Sequence, residues 1–162
     1  IHKESKDAIN AGRKYLVYTL TAGVFLLAAL AITYSLTGTL EFTPGGILAG
    51  AADNETLKLV FLMFMIGVGV KAGIMPLHSW LPAAMIAPTP VSALLHAVAV
   101  VKSGVFACLR ILWFVFGTAL LKDLDVWWML GTAAGITILM GSLIALAQDN
   151  LKRRLAYSTA CV

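Results

Sequence analysis

Lysine and histidine side chains lie inside apolar stretches of this sequence, where ionisable groups are rare. Lys71 stands between Val70 and Ala72, and a later apolar run contains both His96 and Lys102. A charge near the centre of a bilayer costs at least about 2.5 kcal/mol, so such residues face protein or water and mark ion paths. A desolvated lysine can bind and release a proton, and histidine exchanges protons near neutral pH. The pattern therefore indicates a proton or ion relay.

Each member of this relay also has a structural interpretation. Lys71 is followed by Gly73 and Pro76, which supply the helix break that such sites use, but a lysine at a helix end can also extend its ammonium group to the interface. His96 can serve as a hydrogen-bonded packing residue. Lys102 lies about 12 residues, or ~18 Å, into its predicted span, too deep for easy extension to the interface.

Three further positions carry ionisable groups near the same elements. His78, just past Pro76, either joins the path or hydrogen-bonds a carbonyl that the break releases. Arg110 lies near the end of its helix, where extension to the interface is the simpler interpretation. Lys152 and the two arginines that follow it are topology determinants, and Lys152 has the opening of a cytoplasmic path as its alternative role. The candidate path thus comprises Lys71, His96, Lys102, His78 and Lys152.

The sequence indicates no cofactor and no catalytic or metal site. His78 and His96 are 18 residues apart without a third ligand, so they do not form a zinc site, and nothing singles them out as haem ligands. Cys108 and Cys161 form no motif, and no P-loop, dinucleotide fingerprint or iron–sulfur pattern is present. The net charge of +4 comes without basic residues interleaved with aromatics, so no nucleic-acid partner is indicated. Redox chemistry and ATP hydrolysis therefore lie elsewhere, and membership of a larger enzyme stays open.

The elements that position these residues are membrane-spanning helices. Hydrophobic residues make up 60% of the 162 residues and charged residues 12%, whereas a soluble domain has roughly a quarter charged residues. The mean hydropathy is +0.89, and all eight acidic residues lie outside the apolar runs. We therefore predict an all-α, polytopic transmembrane helix bundle.

Four spans and the start of a fifth are predicted. The second is one discontinuous helix over about 57–87 with Lys71 near its break, because its first half is too short to cross a bilayer alone. A straight helix to residue 75 followed by a helix on the membrane surface is the alternative. The chain starts with Ile1 and stops just after a helix-start pattern, so it is predicted to be an internal fragment of a longer subunit. The single membrane domain covers 1–162, and its other predicted spans are 15–36, 91–116 and 126–147.

The placement of basic residues predicts the orientation of the bundle. Segments 1–14 and 148–154 hold four and three Lys or Arg residues, whereas loop 37–57 carries acidic residues and no base. Cytoplasmic loops are enriched in Lys and Arg. An even number of spans puts both basic segments on one side, so both ends are predicted to be cytoplasmic in a multi-pass protein of the cell inner (plasma) membrane.

Two motifs of the sequence resemble one known family. Residues 69–110 read GVKAGIMPLHSWLPAAMIAPTPVSALLHAVAVVKSGVFACLR, and residues 145–159 read ALAQDNLKRRLAYST. In order and spacing they are similar to the antiporter-like membrane subunits of respiratory complex I, of membrane-bound hydrogenases and of Mrp-type sodium/proton antiporters. Together with the intervening helices the resemblance covers essentially the whole chain. The stretch AAMIAPTPVSALLHAVAVVKSG looks most like the D-type Mrp subunit.

The resemblance implies two inverted repeats of five helices, of which this chain holds most of the first. It implies that Lys71 is the central lysine of the broken helix and that His96 and Lys102 belong to the connecting hydrophilic axis. The glutamate that pairs with this lysine in the family, and the second-repeat residues, would lie outside the chain. The implied function is translocation of H⁺, or Na⁺/H⁺ antiport, within a multisubunit membrane complex. A proton-pumping module of complex I or a hydrogenase is the alternative, and a structural subunit with a degenerate channel is a different class, against which the buried lysines argue.

Overall fold

Helices make up all the regular structure in the described part of the chain. The structure, a computed structural model, describes residues 6–86, 90 and 100–160. A π-helical segment, Ile111–Phe116, directly follows the helix Val100–Arg110, and 3₁₀ turns, Leu77–Ser79 and Ala84–Ile86, flank the short helix Trp80–Ala83. The α-helices are α1 (Lys6–Thr37), α2 (Asn54–Ala72), α3 (Trp80–Ala83), α4 (Val100–Arg110), α5 (Thr118–Asp123), α6 (Trp127–Leu146) and α7 (Leu151–Ala160).

Helix α1 is longer than the predicted span and begins in the polar segment that precedes it. Threonine and serine hydroxyl groups of α1 donate hydrogen bonds to carbonyls of the same helix. Thr33, for example, donates to the carbonyl of Ala29 at 2.8 Å. Such bonds satisfy the hydroxyl group without a water molecule, as an apolar surrounding requires. The helix ends at Gly38, which has a φ of 69° and donates its N–H to the Tyr34 carbonyl.

Three helices are long and apolar enough to cross a membrane among the described residues. They cover Ala8–Thr37, Asn54–Ala83 and Trp127–Leu146, close to three of the four predicted spans. The remaining predicted span, 91–116, lies partly outside the described residues, and its described part from residue 100 is helical. The predicted all-α polytopic membrane bundle is confirmed, whereas the count of four spans stays a prediction.

The predicted interruption of the second span is confirmed. Helix α2 ends at Ala72, and Gly73 follows in the left-handed conformation with a φ of 77°. The N–H of Ile74 donates to the Gly69 carbonyl and that of Gly73 to the Val70 carbonyl, an arrangement that closes a helix end. Helix α2 thus ends three residues before residue 75, and whether the part beyond the break crosses the membrane or lies on its surface stays a prediction. Beyond the break, two 3₁₀ turns flank the four-residue α3, so the described chain is helical over 77–86.

A core of aromatic side chains joins the first half of α2 to the π-helical segment. Phe61 and Phe64 pack edge-on against Phe116, with ring centroids 5.3 and 6.1 Å apart. Leu48 and Leu57 are buried in the same cluster. Edge-to-face aromatic pairs contribute about 0.5–1.5 kcal/mol each beyond the area they bury. This cluster fixes α2 against the helix that carries Lys102.

The loop between α1 and α2 closes over the end of the π-helical segment. The N–H groups of Ile47 and Leu48 donate to the carbonyls of Phe114 and Val115 at 3.2 and 3.1 Å. These carbonyls lie in the last turn of a helix, where intrahelical partners run out. Gly46 lies with its backbone directly against that of the residues after Val115, where a Cβ would collide. The loop therefore caps this helix end.

Candidate functional site: the interrupted helix at Lys71

The side chain of Lys71 lies in the last turn of α2, directly before the break. It is exposed in this chain, whereas the neighbouring Ala72 is buried. The depth of the break follows from its contact with α6, because the N–H of Met75 donates to Thr137 Oγ1 at 3.0 Å. Thr137 lies near the middle of α6, roughly 15 Å from either end at about 1.5 Å per residue. Lys71 is therefore close to the middle of the bundle, as its sequence position predicted.

Side chains from α1 and from the second half of the broken helix hold the break in place. Trp80 Nε1 donates to the Val70 carbonyl at 2.7 Å, and the Trp80 ring packs on Tyr15 with centroids 5.5 Å apart. Ser79 Oγ donates to the Tyr18 hydroxyl oxygen at 2.9 Å. The chain on both sides of the break is thus tied by hydrogen bonds to fixed partners. The interruption of the helix is therefore fixed in place beside an ionisable side chain.

Lys102 lies on α4, which crosses α2 directly at the end of the broken helix. A Cβ on Gly104 would lie 2.5 Å from the Ala72 nitrogen and 2.8 Å from the Lys71 carbonyl carbon, so the two backbones touch. Lys102 precedes Gly104 by two residues, which places it roughly 200° around α4 from the crossing. It lines an apolar groove of about 310 Å³ on the other side, together with Phe106 and Thr159. The helices that carry the two lysines are therefore in contact, but the two side chains leave the crossing on different faces.

Neither lysine has an acidic partner in the described part of the chain. The salt bridge present there joins Lys58 to Glu55 at 3.2 Å, at the opposite end of α2. Both side chains of that pair are exposed. Lys71 and Lys102 thus differ from Lys58 in that no carboxylate within residues 6–86, 90 and 100–160 compensates their charge.

The remaining predicted path residues lie on the far side of the break or outside the described residues. His78 has a buried Nδ1 atom without a hydrogen-bond partner among the described residues, and its ring is 6.0 Å from that of Tyr157. Lys152 is exposed and lines a groove of about 530 Å³ with Pro82 and Asn150. Both contacts place α7 beside the second half of the broken helix. His96 lies outside the described residues.

Three contacts of the site were not predicted from the sequence. Thr137 is a buried polar residue in the middle of a largely apolar helix, a weak signal that it shares with Thr132 and Ser142 of the same helix. Trp80 and Gly104 carried no such signal, since a buried tryptophan and a helical glycine are ordinary in apolar helices. Arg110 was interpreted as extending to the interface. That interpretation stays a prediction, and the structure adds that the Arg110 guanidinium lies over the rings of Phe42, Phe106 and Phe114, at 5.2, 5.2 and 5.5 Å from their centroids.

The fold and the site together define a class: a polytopic membrane protein with an interrupted helix and, within the part of the chain that the structure describes, a lysine without a carboxylate partner at the interruption. Comparison with known proteins identifies that class further. Residues 1–161 match the family described as "NADH:quinone oxidoreductase/Mrp antiporter, TM". The chain belongs to this family. The family resemblance seen in the sequence is thereby confirmed, and the finer likeness to a D-type subunit stays a prediction.

Similar proteins come from two kinds of membrane complex. The chain is 37% identical to the chloroplastic NAD(P)H-quinone oxidoreductase subunit 5 of Zygnema circumcarinatum over 159 residues, 94% of this chain and 22% of that protein. It is 40% identical to the putative antiporter subunit mnhA2 of Staphylococcus aureus strain MRSA252 over 146 residues, 87% of this chain and 17% of that protein. The chain therefore spans about a fifth of the length of these relatives.

Solved structures share the fold over nearly the whole chain. One is a chain of the membrane-bound sulfane sulfur reductase, an archaeal respiratory membrane complex, with a TM-score of 0.81 and 29% identity over 99% of this chain and 32% of that chain. Another belongs to respiratory complex I from Thermus thermophilus with bound aureothin, with a TM-score of 0.74 and 28% identity over 99% of this chain and 33% of that chain. The proteins similar to this chain thus work as subunits of larger complexes.

Proposed function

We propose that this chain is part of a membrane subunit that translocates protons, with Na⁺/H⁺ antiport as the full activity. Lys71, His96 and Lys102 carry the proton by changes of protonation, and His78 and Lys152 extend the path on the far side of the break. The observation that supports this best is the position of Lys71 in mid-span, beside a helix interruption that other helices hold in place and with no carboxylate partner among the described residues. Ionisable residues in such positions characterise ion paths.

The physical basis is the energetic cost of an uncompensated ammonium group away from water. Such a group is stabilised when an acidic group or a water molecule approaches and is destabilised when the partner leaves or a second cation approaches. A change of charge nearby therefore drives proton uptake or release at Lys71. We propose that the compensating carboxylate comes from a helix of the subunit outside this chain.

We propose that the subunit works inside a multisubunit complex in the plasma membrane. The named relatives are an oxidoreductase subunit and an antiporter subunit, and the named structures are membrane complexes. In the proposed orientation, residues 1–14 and 148–154 face the cytoplasm and loop 38–53 faces outside, because basic residues concentrate in the first two segments.

A second candidate function is the proton-pumping module of a redox-driven complex. The 37% identity to an NAD(P)H-quinone oxidoreductase subunit and the fold shared with complex I favour it. Exchange of Na⁺ for H⁺ in vesicles without an electron donor supports antiport. Proton movement that starts only when an electron donor is added supports the redox-driven pump.

Lys71→Ala in the intact complex is expected to abolish transport, or to reduce it at least about tenfold, while the assembled amount stays near the parental level. The reason is that the side chain is exposed in the bundle and supplies a titratable charge rather than packing volume. Lys71→Arg is expected not to restore transport, since arginine does not release its proton at accessible pH. The measurement is proton or sodium flux in vesicles, with the subunit content determined on the same preparation.

Lys58→Ala provides the matched control on the same helix. Lys58 is exposed and paired with Glu55 at the other end of α2, so its loss is expected to leave transport unchanged. Transport at the parental rate in Lys71→Ala would show that the residue only extends to the interface, and the relay would fail at its centre.

A further inference from the structure

The break beside Lys71 leaves one backbone N–H that only another helix can satisfy. In an uninterrupted helix, the N–H of Met75 would donate to the carbonyl of Lys71, four residues earlier. The N–H groups of Gly73 and Ile74 turn back to the carbonyls of Gly69 and Val70, and Pro76 has none. Met75 instead donates to Thr137 Oγ1 of α6, 62 residues away in sequence. The Thr137 hydroxyl thus occupies the place of the Lys71 carbonyl as acceptor.

The Thr137 hydroxyl group is well placed for this role both as a donor and as an acceptor. The hydroxyl proton is donated to the Ala133 carbonyl at 2.7 Å, so the oxygen offers only lone pairs to Met75. The residue is 4% exposed, so water does not compete for these bonds. Thr33 shows that the cross-helix bond is not a general property of buried threonines here. It is similarly buried, yet within the described residues its hydroxyl group bonds only to the Ala29 carbonyl of its own helix.

We propose that Thr137 is a positioning residue for the relay, acting through the Met75 N–H to hold the interrupted chain in place beside Lys71. While Thr137 accepts this bond, the last turn of α2 ends at Ala72 and the lysine stays beside a gap in the helix. When the bond is lost, the Met75 N–H is left without its acceptor, and the chain beside Lys71 loses the contact that holds it to α6. The inference rests on the proposed function of Lys71 and adds α6 to the elements that control it.

The experiment compares three variants of the full-length subunit in the intact complex: Thr137→Val, Thr137→Ser and Thr33→Val. Thr137→Val has nearly the parental shape and lacks the acceptor, Thr137→Ser keeps the hydroxyl, and Thr33→Val removes a similarly buried hydroxyl that has no role at the break. Hydrogen exchange at the Met75 amide reports the bond itself. The dependence of ion flux on pH reports the environment of the relay.

Thr137→Val is expected to speed exchange at Met75 by about five- to tenfold, as the loss of one hydrogen bond implies, and to displace the pH profile of transport. Thr137→Ser and Thr33→Val are expected to match the parent in both measurements. Unchanged exchange in Thr137→Val would overturn the proposal. Faster exchange with a parental pH profile would overturn it too, because Thr137 would then be a structural cap without influence on Lys71.

The Lys71→Ala variant separates this proposal from the function on which it rests. Parental transport in Lys71→Ala contradicts the relay, and with it any positioning of the relay by Thr137. If Lys71→Ala is inactive but Thr137→Val keeps both the parental rate and the parental pH profile, the relay stands and only the positioning role is overturned.

Discussion

The two ends of α2 are held by different kinds of interaction. At its first end, Phe61 and Phe64 pack against Phe116 within a closed apolar cluster, and Lys58 is paired with a carboxylate at the surface. At its second end, single hydrogen bonds from Trp80 and to Thr137 hold a broken backbone, and the lysine there is unpaired among the described residues. The first end contributes packing energy to stability. The second end holds an interrupted helix and, within the described part of the chain, an uncompensated lysine, both of which are energetically unfavourable. In this one helix, the residues that stabilise the fold and the residues of the proposed function therefore lie at opposite ends.

This difference can be tested most strongly at the apolar end with Phe116→Ala. The change removes a fully buried ring and the two aromatic contacts it makes, and such truncations cost about 3–5 kcal/mol. The amount of assembled subunit is expected to fall sharply, while transport per assembled subunit stays near parental. Thermal unfolding of the purified complex and flux normalised to subunit content measure the two effects. Normal assembly with impaired specific transport would reverse the assignment of the two ends.

A smaller effect on stability is expected at the break with Trp80→Phe. The variant keeps most of the ring but loses the Nε1 hydrogen bond to the Val70 carbonyl, worth about 0.5–1.5 kcal/mol. Assembly is expected to stay near parental, while specific transport falls, since the position of the break beside Lys71 changes. The matched control is Trp113→Phe, because Trp113 is 63% exposed. Equal transport in the two tryptophan variants would show that the bond has no part in the proposed path.

The smallest effect is expected where the loop meets Arg110. Phe42→Leu removes one of three rings around the guanidinium and keeps an apolar side chain, at a cost of about 0.5–1 kcal/mol for an exposed cation–π contact. Hydrogen exchange in loop 38–53 is expected to rise, with assembly and transport unchanged. Leu40→Ala, in the same loop, is the control and is expected to have no such effect. A loss of transport in Phe42→Leu would extend the functional region to this end of the bundle.

Much of the fold was predictable because the bilayer imposes simple rules on the chain. The uncharged runs predicted the spans, and Gly73 with Pro76 predicted the interruption, since both act through their own backbone. The acceptor for Met75 was not predictable in the same way, because it lies 62 residues further along the chain. A local sequence pattern predicts that a backbone N–H loses its partner within the helix. It does not predict which other helix supplies the new acceptor.

The candidate site was predicted at the level of residues but not of arrangement. The sequence predicted that Lys71 and Lys102 belong to one relay, which stays a prediction. The structure adds that their helices touch at Gly104 and that Lys102 lies on the other side of its helix from this contact. Glycine within an apolar helix carries no periodic signal, so the crossing was not visible in the sequence. Contacts of this kind depend on which helices become neighbours.

The crossing at Gly104 restricts how the two lysine-bearing helices can move. A displacement of α4 by one turn along its axis would bring Val100 or Cys108, four residues away, to the place where Gly104 touches the backbone of Ala72. Neither side chain fits there, because even one Cβ meets backbone atoms within 3 Å. One-turn sliding, which other proteins use as a switch, is therefore blocked at this point. The movement left to α4 is rotation about the crossing, which swings Lys102 while the backbone beside Lys71 stays in contact.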